Sequence, residues 1–407
     1  MLARNTTWMV LPLVLGLGLA TAGCGQLGAQ PLKKNVVVGS ELSLDGSIAA
    51  IYLSRQAREF RESGPNGYLV LVDGQGEIKA LETSGMDNAQ TDWSEHGLVF
   101  ADTANDYHLQ DGLHTTPSVK TDYQQAMSGS GAGSSLGLYN DGFNETGYTE
   151  QAVGTSPDGA VLHDVEGYYQ VTGFCDGTLF GLAEPSGAYA REAGLSGHES
   201  VGTYAFRSLM LSRLSGTPSG AERVIGIRTV DESSQDATDA PCVEGRLHHL
   251  ASTYDAGGTS TPVIRSWDVE TATFTQHEIV LSPEAQALEN GDYGFEMHGY
   301  SRDSVRESNL DWVAVDGRVM STNLETGRTK VLFAVAADDY DVASSQRLVE
   351  FTPTSLAVVT SSQDGKAVSF VQYDRYTGEE LRRFDLPDVA KALNTGLVLT
   401  DLAVRPD

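Results

Sequence analysis

Short apolar segments alternate with turn residues along nearly the whole chain, a pattern typical of antiparallel β proteins. The clearest example is residues 351–386, FTPTSLAVVTSSQDGKAVSFVQYDRYTGEELRRFDL. Within it, Asp364-Gly365 supplies the positive φ that a tight hairpin requires, and valine, phenylalanine and tyrosine suit a pleated surface. The segment therefore predicts a four-stranded antiparallel meander.

The same pattern recurs at a steady interval towards the C-terminus. Successive hairpin turns there are 54, 55 and 51 residues apart. These turns lie near Gly216, Glu270, Glu325 and Tyr376. A repeat of about 50 residues that contains four short strands is typical of one blade of a β-propeller.

The repeat length sets the expected size of the ring. The 372 residues after Asn35 hold six to eight four-stranded blades at about 50 residues each, and seven fits best. Helical patterns are nearly absent, so we predict an all-β fold in which residues 36–407 form a single β-propeller. Leu397–Val404 should join the blade of the N-terminal strands, because an unpaired last blade would expose strand edges.

The N-terminus has the features of a secretion signal. Residues 8–20 form an apolar run of 13 residues, which suits a signal-peptide core and is too short to cross a bilayer as a stable helix. The following Thr21-Ala22-Gly23-Cys24 resembles the lipobox of bacterial lipoprotein precursors, in which the chain is cut before the cysteine and that cysteine is diacylated. An ordinary secretion signal with an accidental cysteine is the alternative.

The lipoprotein resemblance implies a domain plan and a location. Residues 1–23 would be the signal peptide, and residues 24–35 would be the lipidated Cys24 and a flexible tether. Two acyl chains give durable membrane attachment, whereas a single chain is marginal. We therefore expect the protein on the outer face of the cytoplasmic membrane, held by acyl chains on Cys24.

The charge of the chain excludes one class of partner. The formal net charge is −28, and loss of Arg4 with the signal peptide makes it −29. Nucleic-acid binding requires clustered Lys and Arg, so no nucleic-acid partner is expected. The same charge argues against docking on anionic lipid. The solubility of an exposed domain explains the large negative charge, and binding of cations or of a cationic partner is the alternative.

Two cysteines remain after Cys24. Cys175 and Cys242 would lie in an oxidising compartment, where two thiols can pair in a disulfide. Two buried, unreactive thiols are the alternative. No Cys-x-x-Cys spacing is present, so the sequence does not indicate a zinc or haem site.

The hairpin turns also resemble those of WD-repeat and quinoprotein-like propellers. Ser-Pro-Asp-Gly at residues 156–159 and Asp-Arg-Tyr-Thr-Gly at residues 374–378 carry that resemblance. The tryptophan-aspartate ending of WD repeats and the tryptophan-docking signature of quinoprotein blades are missing. The resemblance therefore implies the fold, and it does not imply a bound quinone or another cofactor.

Few residues indicate chemistry. The acidic segment at residues 231–241 could offer Asp231, Asp236 and Asp239 as oxygen ligands for Ca²⁺, although it lacks EF-hand spacing, and a solvated loop is the alternative. Gly133–Gly137 matches G-x-S-x-G, but a nucleophile elbow belongs to an α/β sheet. The nine histidines contain no HxH or HExxH pair. Trp93, Trp267 and Trp312 suit blade cores.

We therefore expect a lipid-anchored extracytoplasmic binding or scaffolding module with a protein or glycan partner, and no catalytic residue is assigned. The alternative is a propeller-type hydrolase, a lactonase or a glycan-active enzyme, with a carboxylate-lined and calcium-dependent channel site. An enzyme should gather titratable residues at one end of the ring axis. A substrate-binding lipoprotein is disfavoured, because such proteins usually alternate helices and strands.

Overall fold

The structure is a computed structural model. The residues it describes are 32–406 except 130, 132, 146, 187–188, 190–205, 215–222, 232, 235–238, 255–258, 284–298 and 336–345.

Among the described residues, thirty strands form seven separate antiparallel sheets, with one short parallel addition. In the first half of the chain they are β1 (Ser47–Ser54), β2 (Gly67–Asp73), β3 (Ile78–Thr83), β4 (Thr91–Ser94), β5 (Gly97–Ala101), β6 (Asn105–Leu109), β7 (Leu113–Pro117), β8 (Gln124–Gly129), β9 (Ser135–Phe143), β10 (Tyr148–Ser156), β11 (Gly159–Glu166), β12 (Tyr169–Cys175), β13 (Thr178–Ala183), β14 (Phe206–Leu214) and β15 (Arg223–Asp231).

The second half continues the series. Its strands are β16 (Ser233–Ser234), β17 (Cys242–Val243), β18 (Arg246–Tyr254), β19 (Ser260–Asp268), β20 (Phe274–Glu278), β21 (Val280–Leu281), β22 (Val305–Arg306), β23 (Asn309–Val313), β24 (Arg318–Asn323), β25 (Arg328–Ala334), β26 (Arg347–Phe351), β27 (Ser355–Ser361), β28 (Val368–Asp374), β29 (Glu380–Asp385) and β30 (Val398–Val404). The described helices are α1 (Pro387–Leu393) and the 3-10 helices Gly39–Glu41, Ala57–Glu59 and Arg302–Ser304.

Each sheet is one blade, and the blades follow one another along the chain. Blade 2 is β4–β7, blade 3 is β8–β11, blade 4 is β12–β15 and blade 7 is β26–β29. In blade 5 the first strand is divided into β16 and β17, which both pair with β18, before β19 and β20. Blade 6 is β22–β25 with β21 added parallel to β25. The prediction of seven four-stranded blades is confirmed.

Both ends of the described chain meet in blade 1, which has the order β3-β2-β1-β30. β30 pairs antiparallel with β1, from Ala49 opposite Val404 to Ser54 opposite Val398. The predicted ring closure is therefore confirmed. Strands β30, β4, β8 and β12 contact one another in turn. The innermost strand is therefore the first strand in blades 2, 3 and 4, and in blade 1 it is β30, the last strand of the chain.

The apolar cores lie between neighbouring blades, because each sheet buries both faces against its neighbours. Trp93 belongs to the core shared by blades 1, 2 and 3, Trp267 to that of blades 4 and 5, and Trp312 to that of blades 5 and 6. All three tryptophans are buried. The prediction that they belong to blade cores is confirmed.

The link before β30 is helical, although helical patterns are nearly absent from the sequence. Residues 387–393 form α1, with Pro387 at its first turn. Val389, Ala390 and Ala392 of this helix are buried in the core shared by blades 7 and 1. The helix therefore covers the seam where the ring closes.

The described chain joins the propeller earlier than the predicted tether would end. Leu32 is fully buried in the core shared by blades 7 and 1. Val36 forms a parallel bridge with Ala80 of β3. The chain therefore runs along the outer strand of blade 1 from residue 32. Within residues 32–406, the described helices are too short to span a membrane.

A disulfide crosslinks two blades. Cys175 ends β12 of blade 4 and Cys242 begins β17 of blade 5, with their Cα atoms 5.3 Å apart. Of the two alternatives that the sequence left open, the structure has the bonded pair.

Candidate site in the central channel

The innermost strands enclose a small polar cavity on the ring axis. Its accessible volume is about 70 Å³. It is lined from six blades by Thr91, Asp92, Thr172, Asp239, Ser301, Glu350 and Asp401, among others. The channel thus gathers titratable residues, as the enzyme alternative requires, but in a very small space.

Arg302 crosses this channel. It lies in the 3-10 turn Arg302–Ser304 of blade 6, and its Nε and Nη2 donate to Asp239 Oδ1 of blade 5 at 3.0 and 2.8 Å. Its Nη1 donates to Asp92 Oδ2 of blade 2 at 3.2 Å. Because blades 2 and 6 are on opposite sides of the ring, we call Arg302, Asp92 and Asp239 the axial clamp.

The axial clamp is supported by two further blades. Asp92 Oδ2 accepts hydrogen bonds from Ser128 Oγ at 2.9 Å and from the Gly129 amide at 2.7 Å. The Arg302 guanidinium lies over the Phe174 ring, 5.1 Å from its centroid. Burial alone would lower the pKa of Arg302, but the Asp239 and Asp92 carboxylates outweigh burial and raise it. The guanidinium therefore stays charged.

Arg375 fixes the turn that carries the clamp arginine. Its Nη2 donates to the Ser304 carbonyl at 2.6 Å and its Nη1 to the Asp303 carbonyl at 2.7 Å. Its Nε donates to Asp311 Oδ2 at 3.0 Å. The sequence placed Arg375 only in a hairpin turn, and nothing local to that turn indicated these contacts with blade 6.

Two further carboxyl groups face the channel from blades 7 and 1. Asp401 Oδ2 accepts hydrogen bonds from the Thr91 amide at 2.6 Å and from Thr91 Oγ1 at 2.9 Å. Burial raises the pKa of Asp401 to about 7. Burial also raises the pKa of Glu350 well above its usual value, with Asp239 and Asp401 adding to the effect. Among the described residues, Glu350 has no hydrogen-bond or ion-pair partner.

Of the three predicted calcium ligands, the structure describes the side chain of Asp239 alone. Asp239 belongs to the axial clamp, Asp236 lies outside the described residues, and the side chain of Asp231 at the end of β15 is outside them too. Within the described residues no three His, Cys, Asp or Glu side chains are placed to hold a metal ion. An arginine thus neutralises the one described member of the predicted set.

The other motifs are structural. Ser135, the serine of the G-x-S-x-G match, is buried in β9 and hydrogen-bonds to Thr155 Oγ1 at 2.6 Å. His248 and His249 are buried in β18, and burial lowers their pKa values to about 4 and about 3. His248 Nδ1 lies 2.8 Å from Ser266 Oγ, which gives it a polar partner inside the blade.

An aromatic cluster on blade 3 was not identified from the sequence. The Phe143 and Tyr148 rings meet edge to face with centroids 4.7 Å apart, and Tyr148 meets Tyr168 at 5.0 Å. Phe143 is 77% exposed. Asn140 Oδ1 and Asp141 lie beside this cluster at the β9–β10 hairpin. The sequence of the hairpin does not show which aromatic rings will meet. That depends on the pairing register of β9 and β10, which places Tyr148 opposite Phe143.

The other exposed apolar side chains of the described residues are scattered over the ring. They are Val38, Val119, Leu162, Val280, Tyr376 and Leu381. None of these described side chains makes a ring contact with the aromatic cluster, so the cluster is a small, separate feature.

A match to a protein-family model supports the propeller. The family described as YycP, beta-propeller domain, matches residues 43–203. A chimera of ACO and RPE65 is similar at 9% identity, with 91% of this chain and 94% of that chain covered and a TM-score of 0.50. A mutant of the Synechocystis apocarotenoid oxygenase is similar at 10% identity, with 86% and 91% covered and a TM-score of 0.47.

The computationally designed protein Ika8 is similar at 14% identity, with 86% of this chain and 89% of that chain covered and a TM-score of 0.39. No curated protein matches the chain. At 9% identity, the similarity to the chimera concerns the fold alone.

Proposed function

We propose that the chain is a lipid-anchored extracytoplasmic β-propeller that binds a glycan on the exposed surface of blade 3 and does not process a substrate in its channel. The observation that carries this proposal is the axial clamp, which crosses the channel and leaves about 70 Å³ of accessible volume. Pockets for small molecules usually have about 300–1,000 Å³. A sugar or lactone ring therefore has no room beside Glu350 and Asp401.

The aromatic cluster favours a glycan over a protein as the partner. A stable protein interface buries about 800 Å² on each side, and the exposed apolar side chains of the described residues are too scattered to supply such a patch. A sugar ring needs only an aromatic face and a few polar neighbours. Phe143 offers the face, and Asn140 and Asp141 offer the polar groups.

The test of the site is titration of purified envelope polysaccharide into the protein. Phe143→Ala should weaken binding about three- to tenfold, because each aromatic contact contributes about 0.5–1.5 kcal/mol. Tyr376→Ala is the matched control, since Tyr376 is also exposed, at 59%, but lies on blade 7. Equal effects of the two variants would contradict the assignment.

The membrane anchor has its own support and its own test. The interblade disulfide suits an oxidising compartment. Packing of Leu32 on the propeller leaves a short segment back to Cys24. Cys24→Ala should release the protein from the membrane fraction, and a variant that still sediments with membranes would contradict the anchor.

One observation supports a hydrolase as the second candidate. The raised pKa values of Glu350 and Asp401 are those expected of a general acid. The axial clamp would have to open to admit a substrate. Hydrolysis of lactones or glycosides that Glu350→Gln abolishes, while the fold is retained, would favour this candidate.

A further inference from the structure

The basic side chains of this acidic protein are unevenly distributed. The sequence has seven lysines, and five of them, Lys33, Lys34, Lys79, Lys366 and Lys391, are in segments that meet where blades 1 and 7 close the ring. All five are exposed. Total charge gives no indication of this, because a net charge of −28 says nothing about its distribution.

The outer edge of this seam is one continuous surface. A groove of about 410 Å³ runs along it between the β2–β3 turn and β29, lined by Asn35, Gln75, Glu77, Arg383 and Asp388 among others. Lys34 Nζ lies 3.8 Å from Asp388 Oδ2, and Lys391 Nζ lies 2.6 Å from Asp388 Oδ1. The entering chain, the outer strand of blade 7 and α1 therefore meet here.

We call this surface the closure rim and define it by its six exposed cations. They are Lys33, Lys34, Lys79, Arg382, Arg383 and Lys391. The carboxylates that line the groove or pair with these cations are Glu77, Glu380, Asp385 and Asp388. Around the groove, six cations thus face these four carboxylates, whereas Glu82 and Glu379 lie in the flanking segments. The groove is therefore less acidic than the chain as a whole, whose net charge is −28.

Three cations of the closure rim are available to a partner. Lys33, Lys79 and Arg382 have no ion-pair partner among the described residues, and all three are exposed. Neighbouring Lys34 is 77% exposed, and its single ion pair is long. These side chains can therefore reach phosphate groups without first breaking a close internal ion pair.

We propose that the closure rim rests on the anionic surface of the membrane to which the protein is attached. This rests on the proposed anchor at Cys24. The segment from Cys24 to Leu32 is at most about 26 Å long when extended, so it returns the chain to the bilayer beside Lys33 and Lys34. Within about 8–10 Å of the bilayer, which is one Debye length, the anionic lipid attracts the cations of the closure rim and repels the acidic rest of the protein.

This orientation has a consequence for the ligand site. The closure rim consists of outer strands, so the ring stands edge-on to the bilayer. Blade 3 is more than two blades away from the seam in the ring order. The aromatic cluster of Phe143, Tyr148 and Tyr168 then faces away from the lipid, where envelope glycans can reach it.

The test tethers the mature chain to vesicles independently of acylation. A hexahistidine tag before residue 24 holds the protein on nickel-chelating lipid in either phosphatidylcholine or phosphatidylcholine mixed with phosphatidylglycerol. A membrane-impermeant amine reagent then modifies exposed lysines, and peptide mapping compares Lys79 and Lys391 with Lys330. Lys330 is exposed on β25 of blade 6 and serves as the internal reference.

On vesicles that contain phosphatidylglycerol, labelling of Lys79 and Lys391 relative to Lys330 should fall at least about fivefold. Each lysine near an anionic surface contributes about 1 kcal/mol, which is about fivefold in the equilibrium between the bound and the free surface. High salt should restore labelling. Equal ratios on both lipids would overturn the proposal. Because the tag replaces the acyl chains, a failed Cys24 anchor would leave this result unaffected.

Charge reversal separates a specific surface from general electrostatics. Lys33→Glu with Lys34→Glu and Arg382→Glu should abolish the protection of Lys79 and Lys391. The matched control is Arg213→Glu with Arg223→Glu and Arg328→Glu, three exposed positions on blades 4 and 6 that leave the reference Lys330 in place. In the control variant, which carries the same hexahistidine tag, Lys79 should remain protected from labelling. Equal loss in both variants would also overturn the proposal.

Discussion

Removing the Arg302 side chain is the perturbation that the structure defines most sharply. Arg302→Ala deletes the donors to Asp239 and Asp92 and leaves two carboxylates on the axis without their common cation. The Arg302, Asp92 and Asp239 side chains are 26%, 12% and 33% exposed. Channel water therefore screens the pair in part, which reduces the effect from that of a fully buried pair.

The expected loss follows from that exposure. Breaking a fully buried ion pair costs about 3–5 kcal/mol, whereas an exposed pair is worth about 0–1 kcal/mol. For the partly buried clamp we expect a loss of about 2–4 kcal/mol in the free energy of unfolding. With an unfolding entropy of about 2.1 cal/mol/K per residue, a ring of this size would lose roughly 3–5 °C in Tm.

The assay is thermal unfolding followed by calorimetry, with Arg318→Ala as the control. Arg318 Nε pairs with Asp316 at 2.6 Å, but Asp316 is 42% exposed, so this substitution should change Tm by about 1 °C or less. Arg302→Met combined with Asp92→Asn and Asp239→Asn should recover most of the loss, because it removes the unpaired charges. Equal Tm values for Arg302→Ala and Arg318→Ala would refute the clamp as a structural tie across the ring.

Three further predictions concern the rest of the ring. Burial raises the pKa of Asp401 from 3.8 in the unfolded chain to about 7 in the folded chain, so its protonated form stabilises the fold fully below pH 3.8 and this stabilisation is lost as pH rises through about 7. In Asp401→Asn, Tm should therefore depend less on pH between these two values. Cys175→Ser with Cys242→Ser should lower the free energy of unfolding by about 4 kcal/mol on the loop-entropy model, as calorimetry would show, and an unchanged Tm would contradict this. Deleting Leu397 onward removes β30, so cooperative unfolding should shift sharply downward, and an unchanged melt would count against closure through blade 1.

The fold was predictable because the relevant signals are local. Asp364-Gly365 favours a tight turn through its own backbone conformation, with Gly365 at a φ of 65°. The alternation of buried and exposed side chains follows from the pleat of a β-strand. Closure by β30 followed from the need to pair a last strand. The seven-residue helix α1 was missed because Pro387–Leu393 is too short for a helical period to show.

The site was not predictable because it depends on register between distant strands. Arg302 and Asp92 are 210 residues apart in sequence. The sequence marked Asp239 as a carboxylate on an acidic segment, but it did not show that its partner is the guanidinium of Arg302. Similarly, nothing near Phe143 indicates that Tyr168, from the next connection, completes the aromatic cluster.

The proposed function is tested most directly by hydrogen–deuterium exchange in the presence of envelope polysaccharide. If the glycan binds to the aromatic cluster, protection should be confined to the amides around the β9–β10 hairpin, residues 140–149, and should disappear in Phe143→Ala. Protection confined to the channel strands β26 and β30, around Glu350 and Asp401, would contradict surface binding and place the ligand on the ring axis.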